Sequence, residues 1–219
     1  MKMKKILVVL FCMAFLTVGL SAQDKSKEKN TSESTLAGGW TSYSFNISPE
    51  ARKVFDMVLP PRPGVTYTPL AVATQVVAGM NYSFFCNRQI VYPSAPNEAV
   101  IVLIYVPLYK SPQLISIIPI SRKEKNNLEA NLKPGGWTPY RSDISPEAKT
   151  KFDTALNGLS GVTYIPVAVA TQVVAGINYS FFCNAKVVYP NAPNEAAMIL
   201  IYAPLDKPPY IISITPVEH

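Results

Sequence analysis

Thr74-Gln75-Val76-Val77-Ala78-Gly79-Met80-Asn81-Tyr82 recurs almost unchanged as Thr171-Gln172-Val173-Val174-Ala175-Gly176-Ile177-Asn178-Tyr179. Each copy sits between two stretches with strand character. Val65 to Gln75 is rich in Val, Thr and Tyr, and Asn81 to Tyr92 in aromatic and β-branched residues. Between them Val76-Val77-Ala78-Gly79 must reverse the chain, and a glycine at the fourth position tolerates the positive φ of a tight turn. The turn itself is apolar, where an ordinary one carries Asn, Asp or Gly. An apolar tip on a hairpin wants a partner.

Extending the comparison outward shows a duplication. Gly38 to Ile120 and Gly135 to Val217 align without a gap at an offset of about 97, with roughly 53 of some 83 aligned pairs identical. Two copies of one small fold follow, too long and too few to be solenoid or propeller units. Within each copy Ser48 or Ser145 is an N-cap, followed by proline at the first helical position and by Glu50 or Glu147. Ala51, Val54, Phe55, Val58 and Leu59 then recur at helical spacing. Pro60-Pro61 stops the first helix and Asn157-Gly158 the second, after about three turns. Two further strands follow, Ala99 to Val106 and Leu114 to Ile120. The expected domain is α+β: a four- to five-stranded antiparallel sheet wrapped around one helix. Val100 to Val106 and Leu114 to Ile118 are apolar on both faces, so something must cover the second face. The other repeat, a second chain in a homodimer, or a domain-swapped strand would each serve.

The flanks differ in kind. Lys2, Lys4 and Lys5 precede an uncharged apolar run from Ile6 to Val18 and small residues at Gly19, Ser21 and Ala22, the layout of a secretory signal peptide over 1–22. Its apolar run is short of the roughly 20 residues that span a bilayer. Residues 23–35 read as a disordered polar arm, 36–120 as the first domain, 121–133 as a charged linker and 134–219 as the second domain. The protein is thus expected to be secreted or periplasmic, with no stable membrane insertion. The formal charge of +6 over the full chain falls to about +3 without the signal, too weak and scattered for nucleic acid.

The repeated Gln-Val-Val-Ala-Gly string, its following Asn-Tyr, the upstream helix and the double glycine together resemble the cystatin family. The resemblance runs from the double glycine to the end of each repeat and implies two tandem cystatin-like domains. It further implies a reversible inhibitor that occludes the active-site cleft of papain-like cysteine peptidases. In that reading Leu36, Ala37 and Gly38 form the N-terminal trunk, Gln75, Val76, Val77, Ala78 and Gly79 the first hairpin, and Pro107 and Leu108 the second. In the second repeat Gly135, Gln172, Val173, Val174, Ala175, Gly176, Pro204 and Leu205 take these places. The family's usual Pro-Trp contact is Pro-Leu here, which keeps an apolar contact with less aromatic area. The family implies no cofactor.

An enzyme is not expected. The single histidine is His219, so no Cys-His or Ser-His pair can sit inside each repeat, and no cluster has metal-ligand spacing. Cys86 and Cys183, one per repeat, suit buried thiols, with a bridge between domains or chains as the alternative. The rival function is a cell-surface or periplasmic adhesin or assembly module that inhibits nothing. The apolar second face is the feature that favours it.

Overall fold

A computed structural model describes residues 38–92, 95–120 and 135–219. The segments expected as signal peptide, arm and linker, with Leu36 and Ala37, lie outside the described residues. Each repeat opens with a short helix: α1 is Pro49–Val58 and α2 is Pro146–Leu156. The caps form as the sequence suggests. Ser48 Oγ accepts from the Ala51 amide and Ser145 Oγ from the Ala148 amide, each at 3.2 Å, satisfying donors that a helix start leaves open. Glu50 hydrogen-bonds its own backbone amide and the Ser48 hydroxyl, which holds its carboxyl below the usual range.

Four strands follow in each repeat. In the first they are β1 (Val65–Val77), β2 (Gly79–Ile90), β3 (Glu98–Pro107) and β4 (Gln113–Ile120); in the second, β5 (Val162–Val174), β6 (Gly176–Val187), β7 (Glu195–Ala203) and β8 (Tyr210–Val217). Each set forms an antiparallel meander in sequence order. The segment before each helix adds to the outer edge of β1 or β5. Trp40 bridges Gln75 and Ser44 bridges Val72 in the first repeat, and Arg141 bridges Val169 in the second. That edge also tolerates Pro69 and Pro166, each followed by a register shift, because an edge strand can spare a donor and a bulge bends it.

The expectation of an α+β domain, a sheet wrapped around a helix, is corrected here. The described residues are mostly β, two four-stranded sheets with helices of only 10 and 11 residues. Each helix buries just two side chains fully, Ala51 and Phe55 or Ala148 and Phe152. So short a helix adds two side chains to the core on one sheet face and leaves the other face to be covered. Phe55 meets Phe84 edge-on at 5.0 Å between centroids, with Cys86, Val100, Val102 and Ile104 alongside. The opposite face of each sheet is also apolar, and the two sheets bury it against each other.

That shared layer contains Tyr43, Ala71, Ala73, Phe85, Ala99 and Ile101 from one repeat, with Tyr140, Ala168, Ala170, Phe182, Ala196 and Met198 from the other. Phe85 and Phe182, equivalent positions, stack at 4.0 Å with their planes 1° apart. Around them the contacts are reciprocal. The Asn87 side chain accepts from the Tyr140 amide and donates to the Tyr140 carbonyl, both at 2.9 Å. Asn184 does the same for Tyr43, at 2.7 and 2.9 Å. Asn97 donates to the Trp137 carbonyl and Asn194 to the Trp40 carbonyl. Residue i meeting j while its copy meets i's copy is the signature of a two-fold interface, built here inside one chain. Of the three covers the sequence allowed, the other repeat occupies the apolar face.

Cys86 and Cys183 are free and buried on the helix-facing sides, and burial pushes both thiols well above their ordinary range. His219 closes the first repeat's side of the shared layer. Its ring stacks on Trp40 at 4.5 Å and on Tyr43 at 5.3 Å, and the Tyr43 hydroxyl lies 3.2 Å from Nδ1. Nε2 is buried with no hydrogen-bond partner among the described residues. A proton there would be poorly solvated, so burial lowers the His219 pKa from 6.5 to about 4. The unfolded chain then binds that proton more readily than the folded one. Stability from this group is complete above about pH 6.5, falls as pH drops, and levels off below about pH 4. Allowing for partial exposure, about 2 kcal/mol is lost across that window. Urea denaturation at pH 7 and pH 4.5 measures it, and His219→Gln should flatten this part of the profile.

Candidate functional site

At one end of the first sheet three separate segments meet. Gly38 and Trp40 come from the edge segment, Gln75 to Gly79 from the β1–β2 turn, and Pro107 and Leu108 from the end of β3. Their alignment follows from the register: Trp40 bridges Gln75, Val77 faces Gly79 across the hairpin, and Gly79 pairs with Pro107. Ala78 alone forms the apex between strands.

Side chains then brace the edge. Gln75 Nε2 donates to the Gly38 carbonyl at 2.8 Å, and its Oε1 accepts from Asn81 Nδ2 at 2.8 Å. One amide thus ties the trunk to both strands of the hairpin. The Tyr105 hydroxyl donates to the Ala78 carbonyl at 2.6 Å, pinning the apex to the neighbouring strand. What remains outward is apolar: Val76 is 64% and Leu108 68% exposed, with Val77 and Tyr109 also exposed. No described arrangement of His, Cys, Asp and Glu could hold a metal ion.

Gly79 is required by two independent constraints. Its φ is +128°, which side chains rarely adopt, and a Cβ there would overlap the Val106 carbonyl oxygen. Gly176 repeats both features against Ala203, with φ +123°. Gly79→Ala is therefore expected to cost about 1–3 kcal/mol and to push the first hairpin away from the second. Chemical denaturation reads the first effect. Altered exchange of the Val106 and Pro107 region reads the second.

The second repeat builds the same edge with one difference. Asn178 Nδ2 donates to Gln172 Oε1 at 2.8 Å, and the Tyr202 hydroxyl donates to the Ala175 carbonyl. Val173 and Leu205 are 68% and 88% exposed. Here, however, Gly135 joins the ladder directly, its amide donating to the Val173 carbonyl at 3.0 Å, and Gln172 is buried. In the first copy Gly38 instead adopts φ +76° and receives the Gln75 amide. The trunk glycine takes a positive φ in one copy and hydrogen-bonds the end of β5 in the other.

The sequence-derived positions thus fall into two groups. Gly38, Gln75, Val76, Val77, Ala78, Gly79, Pro107 and Leu108 share one edge. Gly135, Gln172, Val173, Val174, Ala175, Gly176, Pro204 and Leu205 share the other. The two groups are not brought together into a single site. Of the bracing residues, Asn81 and Asn178 belong to the repeated string itself, whereas nothing in the sequence reading marks Tyr105 and Tyr202. The signal for the two tyrosines is their equivalent position, two residues before the Pro-Leu pair in both copies.

No protein-family model matches this chain, and no curated protein matches it. No helix among the described residues is long and apolar enough to cross a membrane.

Proposed function

We propose that the chain is an exported, reversible inhibitor of papain-like cysteine peptidases, which it blocks by inserting an apolar edge into the active-site cleft. The observation that carries this reading is the edge itself. A trunk glycine, a Gln-Val-Val-Ala-Gly apex and a Pro-Leu tip stand in line, with valine and leucine outward. The resemblance of that string to the cystatin hairpin supplies the partner class, independently of the fold class.

Physical reasons make such an edge an occluder. A peptidase cleaves a segment that lies extended through its cleft. The apex cannot extend, because ladder bonds run up both strands to Gly79 and Tyr105 holds the Ala78 carbonyl. Strands and side-chain braces fix the edge before contact, so docking orders little and most apolar burial appears as affinity. The chain performs no chemistry of its own in this scheme. Its buried thiols, protonated by their surroundings, take no part.

The adhesin reading drew its support from an uncovered apolar sheet face, and that face is covered by the second repeat. Titrating papain with the purified chain tests the proposal. Tight, stoichiometric loss of peptidase activity is the expected result. Full activity with the chain in micromolar excess would leave the edge without its proposed partner.

A further inference from the structure

The contacts between the sheets fix how the two edges point. Phe85 stacks on Phe182, their equivalent places in β2 and β6. Two residues farther from the first apex, Asn87 grips the backbone of Tyr140. The Tyr140 hydroxyl in turn meets Ser180 Oγ at 2.6 Å, and Ser180 lies two residues nearer the second apex than Phe182. Moving away from one tip therefore moves toward the other. Farther along, Asn97 at the far end of the first sheet reaches the Trp137 carbonyl in the second trunk. Asn194 reaches the Trp40 carbonyl in the reciprocal contact. The sheets run antiparallel across their shared face.

The glycine beside each apex lies six residues from its stacked phenylalanine, Gly79 from Phe85 and Gly176 from Phe182. At the usual strand rise the two tips stand about 40 Å apart and face opposite ways. Neither edge is shielded by its own repeat, since Val76, Leu108, Val173 and Leu205 are all exposed.

We infer that one chain takes up two peptidase molecules at once, one on each end of the sandwich. The inference rests on the proposed inhibitory function and adds to it a stoichiometry and an arrangement. Opposed edges keep the two bound peptidases on opposite sides of the inhibitor, so neither excludes the other sterically. Tandem domains on a flexible tether would leave that geometry undefined. The shared core defines it.

Papain with its active-site cysteine carboxymethylated, mixed in excess with the full chain, gives the test by light scattering after size-exclusion chromatography. The expected mass is one chain plus two peptidases. Val76→Asp with Leu108→Asp should reduce the complex to one peptidase, and so should Val173→Asp with Leu205→Asp. All four together should leave the chain alone. These positions are exposed, and an unchanged thermal transition for each variant checks that folding is intact. A one-to-one complex from the unaltered chain overturns the inference while leaving the inhibitory reading standing. So does the case in which one pair of substitutions abolishes all binding. No complex with the unaltered chain, when the same preparation also fails to inhibit active papain, overturns the inhibitory reading itself.

Discussion

Phe85→Ala is expected to destabilise the whole folded chain by about 3–5 kcal/mol, the usual cost of emptying a buried phenylalanine site. Phe85 is fully buried, stacked flat on Phe182 and edge-on to Tyr140 at 5.1 Å. Removing its ring opens a cavity that both sheets line, and Phe182 loses the surface it covers. For a chain of this size the melting temperature should fall by roughly 6–20 °C. The form of the transition matters as much as its position. Because the two repeats hold one core between them, calorimetry should show one transition before the substitution and one after it. Two resolved transitions, with only the earlier one shifted, would mean that the repeats fold as separate beads.

The second large effect is on binding. Val76→Asp with Val77→Asp, in a background where Val173→Asp silences the other edge, should weaken papain inhibition by at least about 100-fold. The two valines are exposed in the free chain, so little stability is at stake. In a complex each carboxylate would be desolvated against an apolar wall without a counter-charge, which costs several kcal/mol when unpaired. Val76→Ala should do much less, since it removes contact area without adding a charge. Inhibition constants for the three proteins, measured beside their thermal transitions, separate lost docking from lost folding.

Much of the local structure was legible from the residues. Ser48-Pro49-Glu50 announces a helix start, and the serine does cap it. The Val76-Val77-Ala78-Gly79 turn forms where the apolar run and the glycine place it, although the strands extend farther into it than expected. They continue to Val77 and resume at Gly79, leaving Ala78 alone at the apex. The sequence also implied a covered second face, from residues such as Val100 and Ile101 that are apolar in succession.

What it could not convey was which surface supplies the cover. Phe85 alternates with Phe84 and Cys86 as any sheet residue would, and nothing local says that its partner is its own copy about 97 positions on. Asn87 and Asn97 look like ordinary polar residues at strand ends until their backbone partners in the other repeat are known. The α+β expectation failed for the same reason. It gave the helix the whole task of closing the core, whereas the helix covers one face and the second sheet the other. For the candidate site, the turn residues stood out because apolar residues at a tip are unusual. The braces Tyr105 and Tyr202 did not, because a tyrosine in a strand is common.

In the proposed function one braced apolar edge enters a peptidase cleft as a unit. Hydrogen exchange of the chain, free and bound to carboxymethylated papain, measures this most directly. New protection is expected at 75–79 together with 106–109, and at the equivalent 172–176 and 203–206, with the helices and β4 unchanged. Protection confined to the helices or to the β4 and β8 edges, with the apices still exchanging freely in the complex, would contradict it.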